Sequence, residues 1–267
     1  MMKTRKTIVT RCMALVLCFA MSLSALLPAT AMRAQAATRL NILMIGNSLT
    51  YSGRHKNTTI SKLRSLGGCS GYNFNIRYIA YGGEKLETYA NSSKKRGREA
   101  ERLINSQTWD IVVLQQETDS AFLRASSFEN SAKTLAGKIR RKSPNARIIM
   151  NCTWAYNKKK RGLSHSVQQQ RMNANYRKVA SKIRADVVWS GNAFDNYRWG
   201  KGPLSLYRSD KNHASEAGCY LNACCLYAGI TRRSPYGIGY YGRWGKARGS
   251  VMQKTATDAN RALIRYR

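Results

Sequence analysis

Five apolar runs punctuate this chain, at residues 40–45, 72–80, 111–114, 147–150 and 187–189, and stretches with helical spacing of apolar residues lie between and after them. Buried runs separated by helices pair in parallel, because a crossover helix returns the chain to the same end of the sheet. The pattern predicts an α/β fold: a three-layer α/β/α sandwich with a central, mostly parallel five-stranded sheet. Helices are expected over 58–66, 99–105, 127–142, 166–183, 215–227 and 250–266, the last carrying Met252, Ala256, Ala259 and Leu263 on one face. Gly67-Gly68 and Ser143-Pro144 supply stops, and Ser126 or Ser127 supplies a cap.

The first 36 residues read differently. Lys3, Arg5, Lys6 and Arg11 form a basic head, 13–27 is an apolar run short for a membrane span, Pro28 breaks it, and Ala34-Gln35-Ala36 is a small-x-small cleavage site. This is the layout of an export signal peptide over 1–36, cleaved after Ala36, which predicts a secreted or cell-surface protein of one domain, 37–267, with no transmembrane span once the leader is removed. A retained membrane anchor is the alternative.

Of 46 lysines and arginines, five lie in the leader (Lys3, Arg5, Lys6, Arg11, Arg33); the other 41 face all 13 acids, a balance of +28. Such a field raises the encounter rate with polyanions. For an exported chain an anionic wall polymer is a more natural partner than nucleic acid, and a merely solvated basic surface is the plainer account. The cysteines after the leader are Cys69, Cys152, Cys219, Cys224 and Cys225. An odd number without metal spacing argues against a disulfide scaffold, and three of them fall on one expected helix as small core residues. No cofactor or metal is expected.

The candidate chemistry gathers where the expected strands end. Asn47-Ser48 follows the first, Gly82-Gly83 the second, Gln115-Gln116 the third and Trp154 the fourth, so parallel order puts all four on one rim. Late in the chain stands Asp210-Lys211-Asn212-His213. Ser48, His213 and Asp210 supply the nucleophile, general base and orienting carboxylate of a serine hydrolase. The base must be neutral to accept the serine proton, so activity should require pH above roughly 6.5, the range of an unperturbed imidazole. Each residue has a plainer role: Ser48 as a helix cap, Gly82 and Gly83 as turn formers, Gln115 as a partner for backbone groups, His55 and His165 as loop histidines. Trp154, Tyr156 and Trp199 are either a sugar-stacking wall, with Trp154 the first choice for substrate contact, or ordinary packing.

These blocks resemble the SGNH (GDSL-type) hydrolase superfamily in order and context over essentially all of 37–267. Gly46-Asn47-Ser48-Leu49-Thr50 is similar to its Gly-Asp-Ser block, Gly83 in Ala80-Tyr81-Gly82-Gly83-Glu84 to its second, and Asp210 with His213 to its last. The third block departs: where the family usually carries Gly-x-Asn-Asp, this chain has Gln115-Gln116-Glu117-Thr118, which resembles the Gln-x-Glu-Ser string of a carbohydrate-esterase branch. The resemblance implies an SGNH/flavodoxin-like sheet and an oxyanion hole built from the Ser48 and Gly83 backbone N–H groups and the Gln115 side chain, or Gln116 in its place. Asn47 for the common Asp removes a charge beside the nucleophile and should be tolerated.

The resulting expectation is an exported esterase removing small acyl groups, acetyl foremost, from a carbohydrate or glycan. The alternatives are a lipase, thioesterase or arylesterase on the same scaffold, or a basic non-catalytic protein binding wall polymer or nucleic acid.

Overall fold

The computed structural model describes residues 36–52 and 58–265. The expected leader up to residue 35, and His55, lie outside the described residues. Ala37–Arg267 forms one compact unit.

Five strands make its sheet: β1 Thr38–Gly46, β2 Tyr72–Ala80, β3 Ile111–Leu114, β4 Arg147–Cys152 and β5 Asp186–Trp189. All pairings are parallel, in the order β2-β1-β3-β4-β5. Gly46 is in register with Ala80, Ile45 with Leu114, and Leu114 with Met150, so the carboxyl ends of four strands align along one rim. The chain runs from β1 outward to β2, then back past β1 to β3. That reversal opens a crevice at the carboxyl ends of β1 and β3, where open α/β sheets hold their ligands.

Ten α-helices among the described residues cover the sheet. They are α1 Ser48–Tyr51, α2 Thr59–Gly68, α3 Leu86–Ala90, α4 Lys95–Asn105, α5 Thr118–Leu123, α6 Ala125–Lys142, α7 His165–Lys182, α8 Ser190–Trp199, α9 Glu216–Thr231 and α10 Gly245–Ala259. Alternate residues of a strand point to opposite faces, and β1 shows this plainly. Ile42 and Met44 join a core with α2, α8, α9 and α10, whereas Leu43 and Ile45 join a second core with α3 through α7. All four are fully buried, each contributing roughly 1.5–3 kcal/mol relative to an exposed side chain. The expected three layers follow from these two cores.

Beyond the one-turn α1, three helices were not expected. α5 starts from Glu117, whose carboxylate accepts from the Asp119 and Ser120 N–H groups. α8 starts from Trp189 with no side-chain cap, so its beginning carries no Ser/Thr/Asp/Asn signal. Its Gly191 is needed for packing, since a Cβ there would meet the Gln169 amide and the Thr153 carbonyl. α3 likewise starts without a side-chain cap, from Lys85. α6 begins at Ala125, ahead of the expected serine cap, and the last helix begins at Gly245 and ends at Ala259. The five cysteines are free thiols, Cys69 exposed and the rest buried. Among the described residues no helix is long and apolar enough to cross a membrane, and no cluster of metal ligands occurs.

Candidate active site

Gly46 ends β1 at a crowded point. A Cβ there would collide with the Thr50 hydroxyl and the Gln115 amide oxygen, so only glycine lets the chain turn sharply into α1. Asn47 caps α1, its Oδ1 accepting from the Leu49 N–H at 3.0 Å. Ser48 is the first residue of α1, half-buried, and its N–H lies in the first helical turn, where no intrahelical acceptor exists.

The Asp210–His213 loop meets this turn from the far end of the chain. A bridge between Tyr207 and Ala214 and the Arg208 N–H bond to the His213 carbonyl close the loop at its base. The loop holds Lys211 at φ 62°, a conformation that favours glycine. Asp210 Oδ1 accepts from the Asn212 and His213 N–H groups, both at 2.9 Å, leaving Oδ2 to meet His213 Nδ1 at 2.7 Å. His213 Nε2 then stands 2.9 Å from Ser48 Oγ. A hydroxyl, an imidazole and a carboxylate are thereby joined in series across 165 residues of sequence. Partial burial pulls the Asp210 carboxyl upward, but the Asn212 N–H, the His213 ring and the His213 N–H outweigh it and hold it at about 2. It stays a carboxylate under all ordinary conditions and fixes the imidazole with Nδ1 protonated and Nε2 free to accept.

Three successive carbonyls of this loop are held by the segment after β4. Lys158 Nζ donates to Asp210 O at 3.2 Å, the Asn157 N–H to Lys211 O at 2.8 Å, and Trp154 Nε1 to Asn212 O at 2.8 Å. Trp154 is fully buried, with its ring stacked on Phe194 at 4.0 Å and 7°. This corrects the expectation of substrate contact: a ring with no exposed face cannot stack on a sugar, and its indole N–H serves the base-carrying loop.

The third block also departs from expectation. Gln115 Oε1 accepts from the Asn47 N–H at 3.0 Å and the Thr50 hydroxyl at 2.8 Å, while its Nε2 donates to Gln116 O. Gln116 Oε1 accepts from the Leu86 and Glu117 N–H groups, and its Nε2 donates to Glu87 at 2.9 Å. Both side chains are buried, each with its oxygen doubly occupied and its nitrogen bonded to a protein acceptor, and neither is hydrogen-bonded to Ser48. They brace the turn instead, Gln115 beneath the β1–α1 junction and Gln116 beneath the start of α3. This bracing role escaped the sequence reading. Its only trace was a pair of amides where a buried strand ends.

Gly83 has φ +68°, and its N–H has no hydrogen-bond partner among the described residues. Its loop is tied to the nucleophile turn twice. Asn47 Nδ2 donates to Glu84 O at 3.2 Å, and Tyr89 OH donates to Gly46 O while accepting from the Tyr81 N–H. An aspartate at position 47 would supply no such donor, so the asparagine has a use of its own.

No family model matches the chain, and no curated protein matches it. Solved structures do. A DUF4886 family protein from Bacteroides uniformis superposes with a TM-score of 0.70 at 20% identity, over 83% of this chain and 94% of that one. A protein from Slackia heliotrinireducens described as an SGNH hydrolase superposes with a TM-score of 0.58 at 25% identity, over 72% of this chain and 97% of that one. Its fold is that of the SGNH-type hydrolases. An acetylxylan esterase from Geobacillus stearothermophilus is similar in fold, with a TM-score of 0.55 at 13% identity, over 73% of this chain and 95% of that one.

Proposed function

We propose that this SGNH-type protein is an exported serine esterase that removes small acyl groups, acetyl foremost, from a carbohydrate or glycan. The observation that carries the reading is the relay from Asp210 through His213 to the Ser48 hydroxyl, at 2.7 and 2.9 Å. His213 Nε2 takes the Ser48 proton as the oxygen attacks the acyl carbon, and the carbonyl oxygen gains the negative charge. The backbone N–H groups of Ser48 and Gly83 receive that oxyanion; one such donor is typically worth about 3–4 kcal/mol in the transition state. The imidazolium returns its proton to the departing sugar oxygen, leaving an acyl–Ser48 ester. A water deprotonated by His213 then releases the carboxylic acid and restores the serine.

The carbohydrate assignment draws support from the acetylxylan esterase among the structural neighbours. Export is supported by the leader pattern alone, and the basic balance favours association with an anionic wall polymer once outside the cell.

A panel of aryl esters and acetylated oligosaccharides, graded in acyl length, tests the reading on the wild type and on Ser48→Ala. The expected result is an acetyl optimum and loss of turnover in the variant. Full activity in Ser48→Ala overturns the mechanism, and an optimum at eight or more carbons overturns the substrate class in favour of a lipase.

A further inference from the structure

A groove outside the triad separates α7 from α8. Its lining comes from Ser166, Gln170, Asn173 and Arg177 on α7, Asn192, Asn196 and Trp199 on α8, and Asp258 and Ala259 at the end of α10. The α7 face covers about 16 Å at 1.5 Å per residue, and the cavity volume is about 740 Å³, within the range of small-ligand sites.

The lining has a definite chemistry. Along the floor, Gln169 Nε2 donates to Asn173 Oδ1 at 3.0 Å and Asn173 Nδ2 to Asn192 Oδ1 at 2.8 Å, a ladder of amides that fixes the orientation of each. At the mouth, the amides of Gln170 and Asn196 are exposed and have no side-chain partner among the described residues. Trp199, 72% exposed, is the most exposed large hydrophobic residue described, and it stands at the same mouth.

The charged groups here are already engaged. Arg177 lies over the Trp189 ring, Asp195 is paired with His165 and Arg198, and Asp258 with Lys254 and Arg261. On a strongly basic chain this groove offers an anion little. It offers amides, which donate and accept at once, and an aromatic face.

We infer that this groove binds a neutral, hydroxyl-rich saccharide chain, with Trp199 stacking on the apolar face of a sugar ring and the Gln170 and Asn196 amides paired with its hydroxyls. A hydroxyl both donates and accepts, as a primary amide does, so the two sets match without any buried charge. An aromatic ring covers the C–H face that hydroxyls leave bare. The groove is mechanically joined to the triad: Phe194, beside Asp195 on α8, stacks on Trp154, which holds the carbonyl preceding His213. A bound chain is thus held on an element that also seats the general base. The inference rests on the proposed carbohydrate substrate and extends it, assigning this groove to the unmodified part of the polymer rather than to the acyl group.

The test is calorimetric titration of the full chain with neutral β-1,4-linked hexasaccharides of glucose, xylose and N-acetylglucosamine. The variants are Trp199→Ala, Trp199→Phe and Asn196→Ala, with hydrolysis of an aryl acetate measured on each. The expected result is that at least one hexasaccharide binds and that Trp199→Ala weakens it tenfold or more. Trp199→Phe should keep most of the affinity and Asn196→Ala should lose a smaller part, with aryl acetate kcat/KM unchanged throughout. Absence of binding to every hexasaccharide, or equal binding by Trp199→Ala, overturns the groove assignment. Failure of the esterase reading shows separately, as an aryl acetate that wild type does not cleave or that Ser48→Ala still does.

Discussion

Asp210 divides its work between two oxygens: Oδ1 is taken by backbone N–H groups and Oδ2 by the imidazole. Because its carboxyl is held at about 2, it cannot contribute an ionisation to the acid limb of the rate profile. kcat/KM should therefore fall with unit slope as the imidazole protonates, and a slope of two above about pH 3 would contradict the assignment. Asp210→Asn should lower kcat on the order of 10⁴-fold with the fold intact, since the orienting acceptor is lost. Gln115 makes a second test. Gln115→Met removes the acceptor for the Asn47 N–H and the Thr50 hydroxyl, leaving a buried donor unpaired at a cost of about 1–3 kcal/mol. Thermal denaturation should register that loss together with a drop in turnover; unchanged stability would show that the bracing role is misassigned. The serine, the histidine and the aspartate were legible because chemistry restricts their types and the strand-to-turn order restricts their place. The direction of an amide was not. Gln115 and Gln116 stand where a donor was sought, yet which way a side chain turns depends on neighbours 30 to 68 residues distant in sequence.

At the level of elements, His165 ties the start of α7 to α8 and to the segment after β4. Its Nδ1 faces Tyr156 O at 2.9 Å and its Nε2 faces Asp195 Oδ1 at 2.6 Å. Both partners accept, so only the doubly protonated ring satisfies them together. The Asp195 bond raises the histidine above its ordinary range against the opposing pull of burial and of Arg198. A folded value above the unfolded one means that the clamp contributes fully below about pH 6.5 and is lost as pH rises through the raised value. The stability advantage of wild type over Asp195→Asn should thus be greatest in mild acid, of the order of 1.5–3 kcal/mol for a bond to a charged group, and should shrink on the alkaline side. A difference constant from pH 5.5 to 9 would sink the clamp. The strands were readable from their apolar runs, whereas α8 was not: its start is set by tertiary contacts at Gly191 and by Trp189 rather than by a capping side chain. α5 was missed for the related reason that its cap is a glutamate.

For the whole molecule, charge and fold answer different questions. The sheet order places the chemistry, and the excess of lysine and arginine governs what approaches it. Exposed charges interact over about 10 Å at 0.1 M salt and less at higher ionic strength. A neutral aryl acetate should then be hydrolysed at a rate nearly independent of salt, while kcat/KM for an acetylated polyuronate should fall steeply as salt rises. Parallel salt responses for the two substrates would remove the basic surface from any account of substrate capture.

The three consecutive carbonyls gripped by the segment after β4 carry an evolutionary consequence. A segment whose main chain and side chains are committed to seating the histidine is a poor place to try out new substrate contacts, since most changes there misalign the relay before they can improve recognition. Diversification of this scaffold toward other alcohols is therefore channelled onto the outer face of α8, where sequence can drift without disturbing proton transfer.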